Sequence, residues 1–144
     1  MTQYVTFRLG GALYGIEVNR VTEILRGEAT TNVPLSPDAI NGLVNLRGQI
    51  ATLIDLRQLL NLPPRPEEAE TMMVVVEIDK EILSLMVDSI GDVRDVTESD
   101  FEAPPDTLPQ ELRELILGAY KLTEDLLLVL DVDKVVALNP ETVR

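Results

Sequence analysis

Residues 42–56 have the sequence GLVNLRGQIATLIDL, in which two apolar runs flank a short polar segment. Runs rich in Val, Ile and Leu on either side of a glycine-containing segment are typical of a β-hairpin. Gly48 is expected to take the positive φ of the tight turn, because glycine has no Cβ that would clash there. The pattern therefore predicts two strands over residues 42–46 and 50–56.

Similar short apolar runs recur along the whole chain and predict an all-β fold. Gly, Asp, Asn and Pro separate the runs, as in small sandwiches and barrels. Asn19 is a capping residue, and the spacing of Val21, Ile24 and Leu25 predicts a short helix after it. The other predicted strands cover residues 4–9, 14–18, 72–78, 82–87, 117–122 and 126–132, and two further predicted helices cover residues 110–114 and 133–136.

The chain also repeats its own pattern, which indicates a duplicated plan. Residues 4–25 align with residues 73–94, by pattern rather than by identity. Residues 42–60 align in the same way with residues 118–136. Because each repeat has about five short strands, the sequence predicts two small barrels.

The duplication predicts one domain, residues 1–144, made of two barrels over residues 1–66 and residues 67–144. Strand exchange at the termini is left open. Residues 61–68 contain three prolines and are expected to form a stiff linker between the barrels. Since a five-stranded barrel has little interior, function is expected on the outer faces and in the groove between the barrels, which favours protein recognition over catalysis.

The composition excludes several kinds of chemistry. The 144 residues include no Cys, His or Trp, which excludes zinc sites built from Cys and His, Ser-His-Asp triads and disulfides. With 12 Lys and Arg against 25 Asp and Glu, the net charge of -13 disfavours binding to nucleic acid or to anionic lipid. No segment reaches the ~18 apolar residues of a membrane span, and no leader is evident, so a cytoplasmic protein is expected.

Carboxylates are the remaining candidates for catalysis or metal binding in a chain without His and Cys. The available pairs are Asp131 with Asp133, Glu67 with Glu68, and Asp92 with Asp95. Their places at a strand end, in the linker and on polar faces favour solvated side chains, and no calcium-binding loop is present, so no catalytic or metal residue is predicted. A carboxylate-dependent hydrolase is the alternative of a different class, and it requires two carboxylates in one dry cleft.

The hairpin of residues 42–57 closely resembles the signature of the CheW family, the bacterial chemotaxis coupling proteins. The segments over residues 14–24, 87–93 and 128–134 resemble the family as well, so the resemblance covers nearly the whole chain. It implies a fold of two SH3-like five-stranded β-barrels with a few short helices.

The resemblance implies a non-catalytic adaptor without a cofactor. Proteins of this family link the cytoplasmic signalling tips of chemoreceptors, the methyl-accepting chemotaxis proteins, to the histidine kinase CheA. The regulatory domain of CheA has the same double-barrel fold, so kinase and coupling protein can pair barrel to barrel and build rings beneath receptor arrays. The implied location is the inner face of the membrane, without insertion into it. An alternative within the family is a coupling protein of a chemosensory-like pathway that controls surface motility or another output.

Arg47 is the leading candidate for a partner contact. Its counterpart in the second repeat is Thr123, so the barrel plan does not require a guanidinium there, and an exposed arginine can bind carboxylates in a bidentate manner. Glu23 is expected on the short helix. By the resemblance, it lies near the position that usually pairs with this arginine in the family. Val21 and Ile90 hold equivalent places in the two repeats, where an apolar groove could receive a receptor helix. The predicted receptor or kinase contacts are Arg47, Glu23, Val21, Gly42, Val44, Ile90 and Val93, and the signature motif is Asn45, Leu46, Arg47 and Gly48.

The ordinary structural explanation of these residues stays open at this point. An arginine or glutamate can be a solvated surface residue, and a single Val or Ile is more often part of the core. The apolar members gain weight only as a set.

Overall fold

The computed structural model describes residues 2–25, 41–46, 48–60, 62, 72–78, 80–123 and 125–138. Within these ranges the chain forms ten β-strands and three short α-helices. The strands are β1 Thr2–Leu9, β2 Ala12–Glu17, β3 Val21–Leu25, β4 Asn41–Leu46, β5 Gln49–Asp55, β6 Met72–Ile78, β7 Glu81–Val87, β8 Ser89–Val96, β9 Ile116–Lys121 and β10 Leu126–Leu130. The helices are α1 Leu56–Leu59, α2 Gln110–Arg113 and α3 Val132–Leu138, and 3-10 turns cover Val18–Arg20 and Glu98–Asp100.

Contacts between residues divide the chain into two compact units, each with one five-stranded sheet. Unit 1 comprises Met1–Val18 and Ile90–Arg144, and its strand order is β8-β1-β2-β10-β9. Unit 2 comprises Asn19–Ser89, and its strand order is β3-β6-β7-β5-β4.

The two sheets share one topology, as a duplicated plan requires. In unit 1 the antiparallel hairpin β1–β2 pairs through β2 with β10 in parallel, and β10 pairs antiparallel with β9. In unit 2 the hairpin β6–β7 pairs through β7 with β5 in parallel, and β5 pairs antiparallel with β4. The strands β1 to β5 therefore correspond in order to β6 to β10.

The predicted halves, residues 1–66 and 67–144, differ from these two units. The hairpin β1–β2 belongs to the first repeat but lies in the sheet of β8, β9 and β10 from the second repeat. The hairpin β6–β7 lies in the sheet of β3, β4 and β5 from the first. Each repeat thus places its first hairpin in the other unit. The sequence left such an exchange open, because it depends on pairings between strands that are distant in the chain.

Each unit has its own apolar core. Buried side chains at the core of unit 1 are those of Tyr4, Leu13, Val96, Tyr120, Leu127 and Val129. The corresponding cluster of unit 2 contains Ala51, Leu53 and Met73, with Leu25, Ile82 and Met86 packed against it. Gly15 in β2 lies at a closely packed position, since a Cβ there would come within 2.9 Å of Leu127 Cδ1 and 3.3 Å of Tyr4 Cβ. The alternating apolar residues of the predicted strands therefore fill these cores.

Most predicted strands and the two later helices are confirmed, whereas the helix predicted after Asn19 is wrong. Residues 21–25 form β3, which pairs antiparallel with β6 and alternates between half-buried and exposed side chains. Pairing with β6 satisfies one edge of the backbone of this segment, so tertiary structure overrides the local helical spacing. The strand β8 was not predicted because most of its residues are exposed, which removes the apolar alternation that identifies a strand.

Candidate functional site

The hairpin that carries the signature motif has its turn at the predicted place. Asn45 pairs with Ile50 and Leu46 pairs with Gln49, which leaves a two-residue turn between β4 and β5. Gly48 has a φ of 89°, and a Cβ added there would meet nothing within 4 Å. Backbone conformation rather than space therefore selects glycine at this position, as the sequence predicted.

The signature residues are placed to different degrees. Arg47 lies outside the described residues. Gly42, Val44, Asn45 and Leu46 lie in β4, which is described by its backbone and forms one end of the sheet of unit 2. The role of these residues in partner binding stays a prediction.

Ile50 is a candidate contact that the sequence analysis missed. It lies one residue after the turn, opposite Asn45, and its side chain is 63% exposed. Ala51 and Leu53 are buried, but Ile54, which shares the register of Ile50, is buried as well. The exposure seen in the fold, rather than a sequence pattern, therefore makes Ile50 a candidate.

Val21 and Glu23 lie in β3, at the other end of the strand order of unit 2. Both are half-buried, and the pairing with β6 shifts between them, with Val21 opposite Val76 and Glu23 opposite Val75. The Thr22 hydroxyl donates a hydrogen bond to the Val75 carbonyl oxygen at 3.2 Å and fixes the strand locally. The expectation that Glu23 lies on a helix is therefore wrong, and its pairing with Arg47 stays a prediction.

Ile90 and Val93 lie in β8, the strand of unit 1 that corresponds to β3. Ile90 is half-buried, whereas Val93 is 52% exposed. The Thr6 hydroxyl of β1 donates a hydrogen bond of 2.6 Å to the Asp92 carbonyl oxygen. This bond ties β8 to β1 next to Val93, so the exposed valine is held on a fixed strand.

A bidentate ion pair that was not predicted lies in unit 2. Arg57 of α1 donates from Nε to Asp88 Oδ1 at 2.7 Å and from Nη2 to Asp88 Oδ2 at 2.6 Å. The hydrogen bond to Asp88 raises the pKa of the Arg57 guanidinium above its usual value. Asp88 directly precedes the point where the chain leaves unit 2, so the pair anchors this exit to α1. The pair could not be predicted from the sequence, because two residues 31 positions apart leave no local signal.

Within the described residues, the carboxylates considered for catalysis either cap a helix or are exposed. Asp131 Oδ1 accepts the backbone N–H of Lys134 at 3.2 Å and caps α3, as Asp55 Oδ1 caps α1 through the N–H of Arg57 at 3.0 Å. Asp92 and Asp95 are exposed on β8, while Glu67 and Glu68 lie outside the described residues. Across the described ranges, no three acidic side chains are grouped as a metal site would require. No helix described here is long and apolar enough to cross a membrane.

Comparison with known proteins gives consistent results. The sequence matches the family described as CheW-like domain over residues 3–139. The chemotaxis protein CheW of Bacillus subtilis (strain 168) is 31% identical over 131 residues, which cover 91% of this chain and 84% of that protein. The chemotaxis protein CheW of Treponema pallidum (strain Nichols) is 30% identical over 136 residues, which cover 92% of this chain and 80% of that protein.

A solved structure is similar as well, the crystal structure of scaffolding protein TtCheW from Thermoanaerobacter tengcongensis. It superposes with a TM-score of 0.75 at 27% sequence identity and covers 90% of this chain and 83% of that chain. This similarity confirms the predicted fold class, two SH3-like five-stranded β-barrels with a few short helices.

Proposed function

Because the chain belongs to the CheW-like domain family, the family of chemotaxis coupling and scaffold proteins, we propose that it couples chemoreceptor signalling tips to the histidine kinase CheA. The observation that carries the proposal is the family match over residues 3–139, which includes the Asn45-Leu46-Arg47-Gly48 hairpin. The proposed role is that of a non-catalytic adaptor in the cytoplasm, held at the inner face of the membrane by the receptors it binds.

The receptor contact is proposed to include the β4–β5 hairpin. An arginine in a two-residue turn can form paired hydrogen bonds with a carboxylate on a receptor helix, and this geometry distinguishes arginine from lysine. Ile50, exposed beside the same turn, adds apolar area next to the charge. Arginine is one of the residue types that most often carry the binding energy at protein interfaces.

The remaining predicted contacts are proposed to serve the same partners from each unit. Val21, Glu23, Gly42 and Val44 belong to the terminal strands β3 and β4 of unit 2, and Ile90 and Val93 belong to the terminal strand β8 of unit 1. Terminal strands have backbone groups and side chains that a partner can reach, which suits the proposed barrel-to-barrel pairing with the regulatory domain of CheA. Because each contact biases the arrangement of the others, receptor occupancy can be relayed to the kinase.

The decisive experiment is co-sedimentation of this protein with a cognate receptor cytoplasmic fragment and the cognate CheA, with kinase autophosphorylation recorded in the same samples. A ternary complex with altered kinase activity is expected. Failure of the protein to associate with either cognate partner would contradict the proposal.

A variant locates the contact. Arg47→Ala is expected to weaken receptor association by about tenfold, the effect of losing roughly 1.4 kcal/mol of binding energy, while the thermal unfolding midpoint stays nearly unchanged. The matched control is Arg113→Ala, which removes an arginine whose ion pair with Asp106 is long and solvent-exposed at 3.4 Å. If Arg47→Ala instead lowered stability by several kcal/mol with binding intact, the arginine would be a fold residue.

A further inference from the structure

Unit 1 contains a pocket of about 400 Å³ that the predicted contact set does not include. The buried rings of Tyr4 and Tyr120 line it together with the exposed side chains of Phe101 and Leu117. The carboxylate residues Glu17 and Glu98 line the pocket as well. The pocket thus combines aromatic faces, an apolar rim and negative charge in one place.

The aromatic content of the pocket is high for this chain. The sequence has three Tyr, two Phe and no Trp, and three of these five rings line the pocket. The ring centroids of Tyr4 and Tyr120 are 5.6 Å apart, and those of Phe101 and Tyr120 are 5.1 Å apart. A cation within about 6 Å of an aromatic centroid is attracted by the negative face of the ring, so adjacent rings favour a positively charged guest.

Phe101 is held in this group by the backbone. The Glu102 N–H donates to the Ala119 carbonyl oxygen and the Ala119 N–H donates to the Glu102 carbonyl oxygen, both at 2.9 Å. A Cβ at Gly118 would collide with the Phe101 ring and with the Glu102 carbonyl oxygen. Glycine at this position therefore allows the ring to pack over β9, and the aromatic wall is preorganised rather than a loose surface side chain.

Both carboxylates act electrostatically on Tyr4, which also lines the pocket. Glu98 Oε1 accepts a hydrogen bond of 2.7 Å from the Thr2 hydroxyl, which orients it. The pKa of Tyr4 is raised well above its ordinary value, chiefly by burial and by the hydrogen bond with Tyr120, with a further contribution from the negative charges of Glu17 and Glu98. The two charges therefore reach the Tyr4 hydroxyl at the pocket. A bound cation would be favoured by the same field.

We infer that this pocket binds the cationic side chain of an arginine or lysine supplied by a protein partner. The alkyl stem of such a side chain would pack on Leu117, which is 54% exposed, and the charged end would lie among the three rings and the two carboxylates. The net charge of -13 favours the approach of a basic partner segment. This site is distinct from the β4–β5 hairpin of unit 2, so it does not rest on the proposed coupling role.

The test uses defined peptides and amide NMR spectra of the full chain. The probe is an acetylated, amidated tripeptide Ala-Arg-Leu, and its neutral match is the same peptide with citrulline in place of arginine. The arginine peptide is expected to bind with a Kd in the millimolar range and to shift the amides of Phe101, Leu117 and Tyr120, with at least fivefold weaker binding for the citrulline peptide. Added salt should weaken only the arginine peptide.

Two variants and a control complete the design. The double change Glu17→Gln with Glu98→Gln and the single change Phe101→Leu should each weaken arginine-peptide binding by about fivefold or more, while Glu114→Gln, an exposed carboxylate of the same unit outside the pocket, should not. Equal binding of both peptides, or shifts that map away from the pocket, would overturn the inference. Tighter binding of tetramethylammonium than of the peptide would also overturn it, because the pocket would then serve a free organic cation.

Discussion

The ion pair between Arg57 and Asp88 is expected to be a main stabilising contact of unit 2, and Arg57→Met tests it. Methionine keeps most of the apolar stem but removes both hydrogen bonds to Asp88, of 2.7 and 2.6 Å. The two side chains are only 14% and 24% exposed, so water replaces the lost donors poorly. A hydrogen bond to a charged group contributes about 1.5–3 kcal/mol, and breaking a fully buried pair costs about 3–5 kcal/mol. For this partly buried pair we expect a loss of about 2–3 kcal/mol.

The same chain offers a matched control for the effect of burial. Arg8 forms a bidentate pair with Asp125 in unit 1, at 3.4 and 2.8 Å, but these side chains are 40% and 30% exposed. Arg8→Met should therefore cost less than about 1 kcal/mol, as is usual for solvent-exposed pairs.

The assay is urea unfolding of the wild type, both single variants and the double variant Arg57→Met with Asp88→Asn, followed by circular dichroism. The double variant should recover part of the lost stability. Arg57→Met alone leaves the Asp88 carboxylate without these two donors, and the second change removes that carboxylate. A loss for Arg57→Met no larger than that for Arg8→Met would refute the argument that burial determines the strength of the pair.

Two further predictions concern unit 1. The raised pKa of Tyr4 means that the folded state keeps its proton above pH 10 while the unfolded state releases it, so stability is full below the unfolded pKa near 10 and falls as the pH rises further. Urea unfolding between pH 9 and pH 11 should show this fall. Tyr4→Phe should reduce the slope of the unfolding free energy against pH by up to about 1.4 kcal/mol per pH unit. An unchanged slope would contradict the raised pKa of Tyr4. Gly118→Ala should lower the thermal unfolding midpoint by the equivalent of about 1–3 kcal/mol because the new methyl group meets Phe101 and the Glu102 carbonyl, and a neutral result would mean that β9 moves freely there.

Local patterns predicted the elements of this fold better than the way they assemble. The strand over residues 72–78 was predicted with its observed bounds, because it is a short run rich in Met and Val that lies between polar residues. The segment after Asn19 was misassigned because its apolar residues happen to have helical spacing, and only the pairing of β3 with β6 determines its structure. The exchange of first hairpins between the units likewise depends on pairings between distant strands, which no local pattern specifies.

The candidate sites also differ in whether a local sequence pattern could predict them. The turn at Gly48 was predictable because glycine is the residue type most favoured at a positive φ. Ile50 could not have been found from strand alternation alone, because Ile54 shares its register and is buried. The pocket of unit 1 could not have been found either, because its lining residues come from separate segments that only the fold brings together.

The two repeats share one fold but differ in side chains that bear on the proposed scaffold role. Asp55 and Asp131 are equivalent and both cap a helix, so this part of the plan has been kept in both repeats. The next equivalent positions diverge, since Arg57 corresponds to Asp133 and Arg47 corresponds to Thr123. A duplicated fold with identical surfaces would bind one partner twice. Divergent side chains on a common fold instead allow its two halves to prefer different partners. On this argument, substitutions in the β4–β5 hairpin and in the equivalent β9–β10 hairpin should impair different associations.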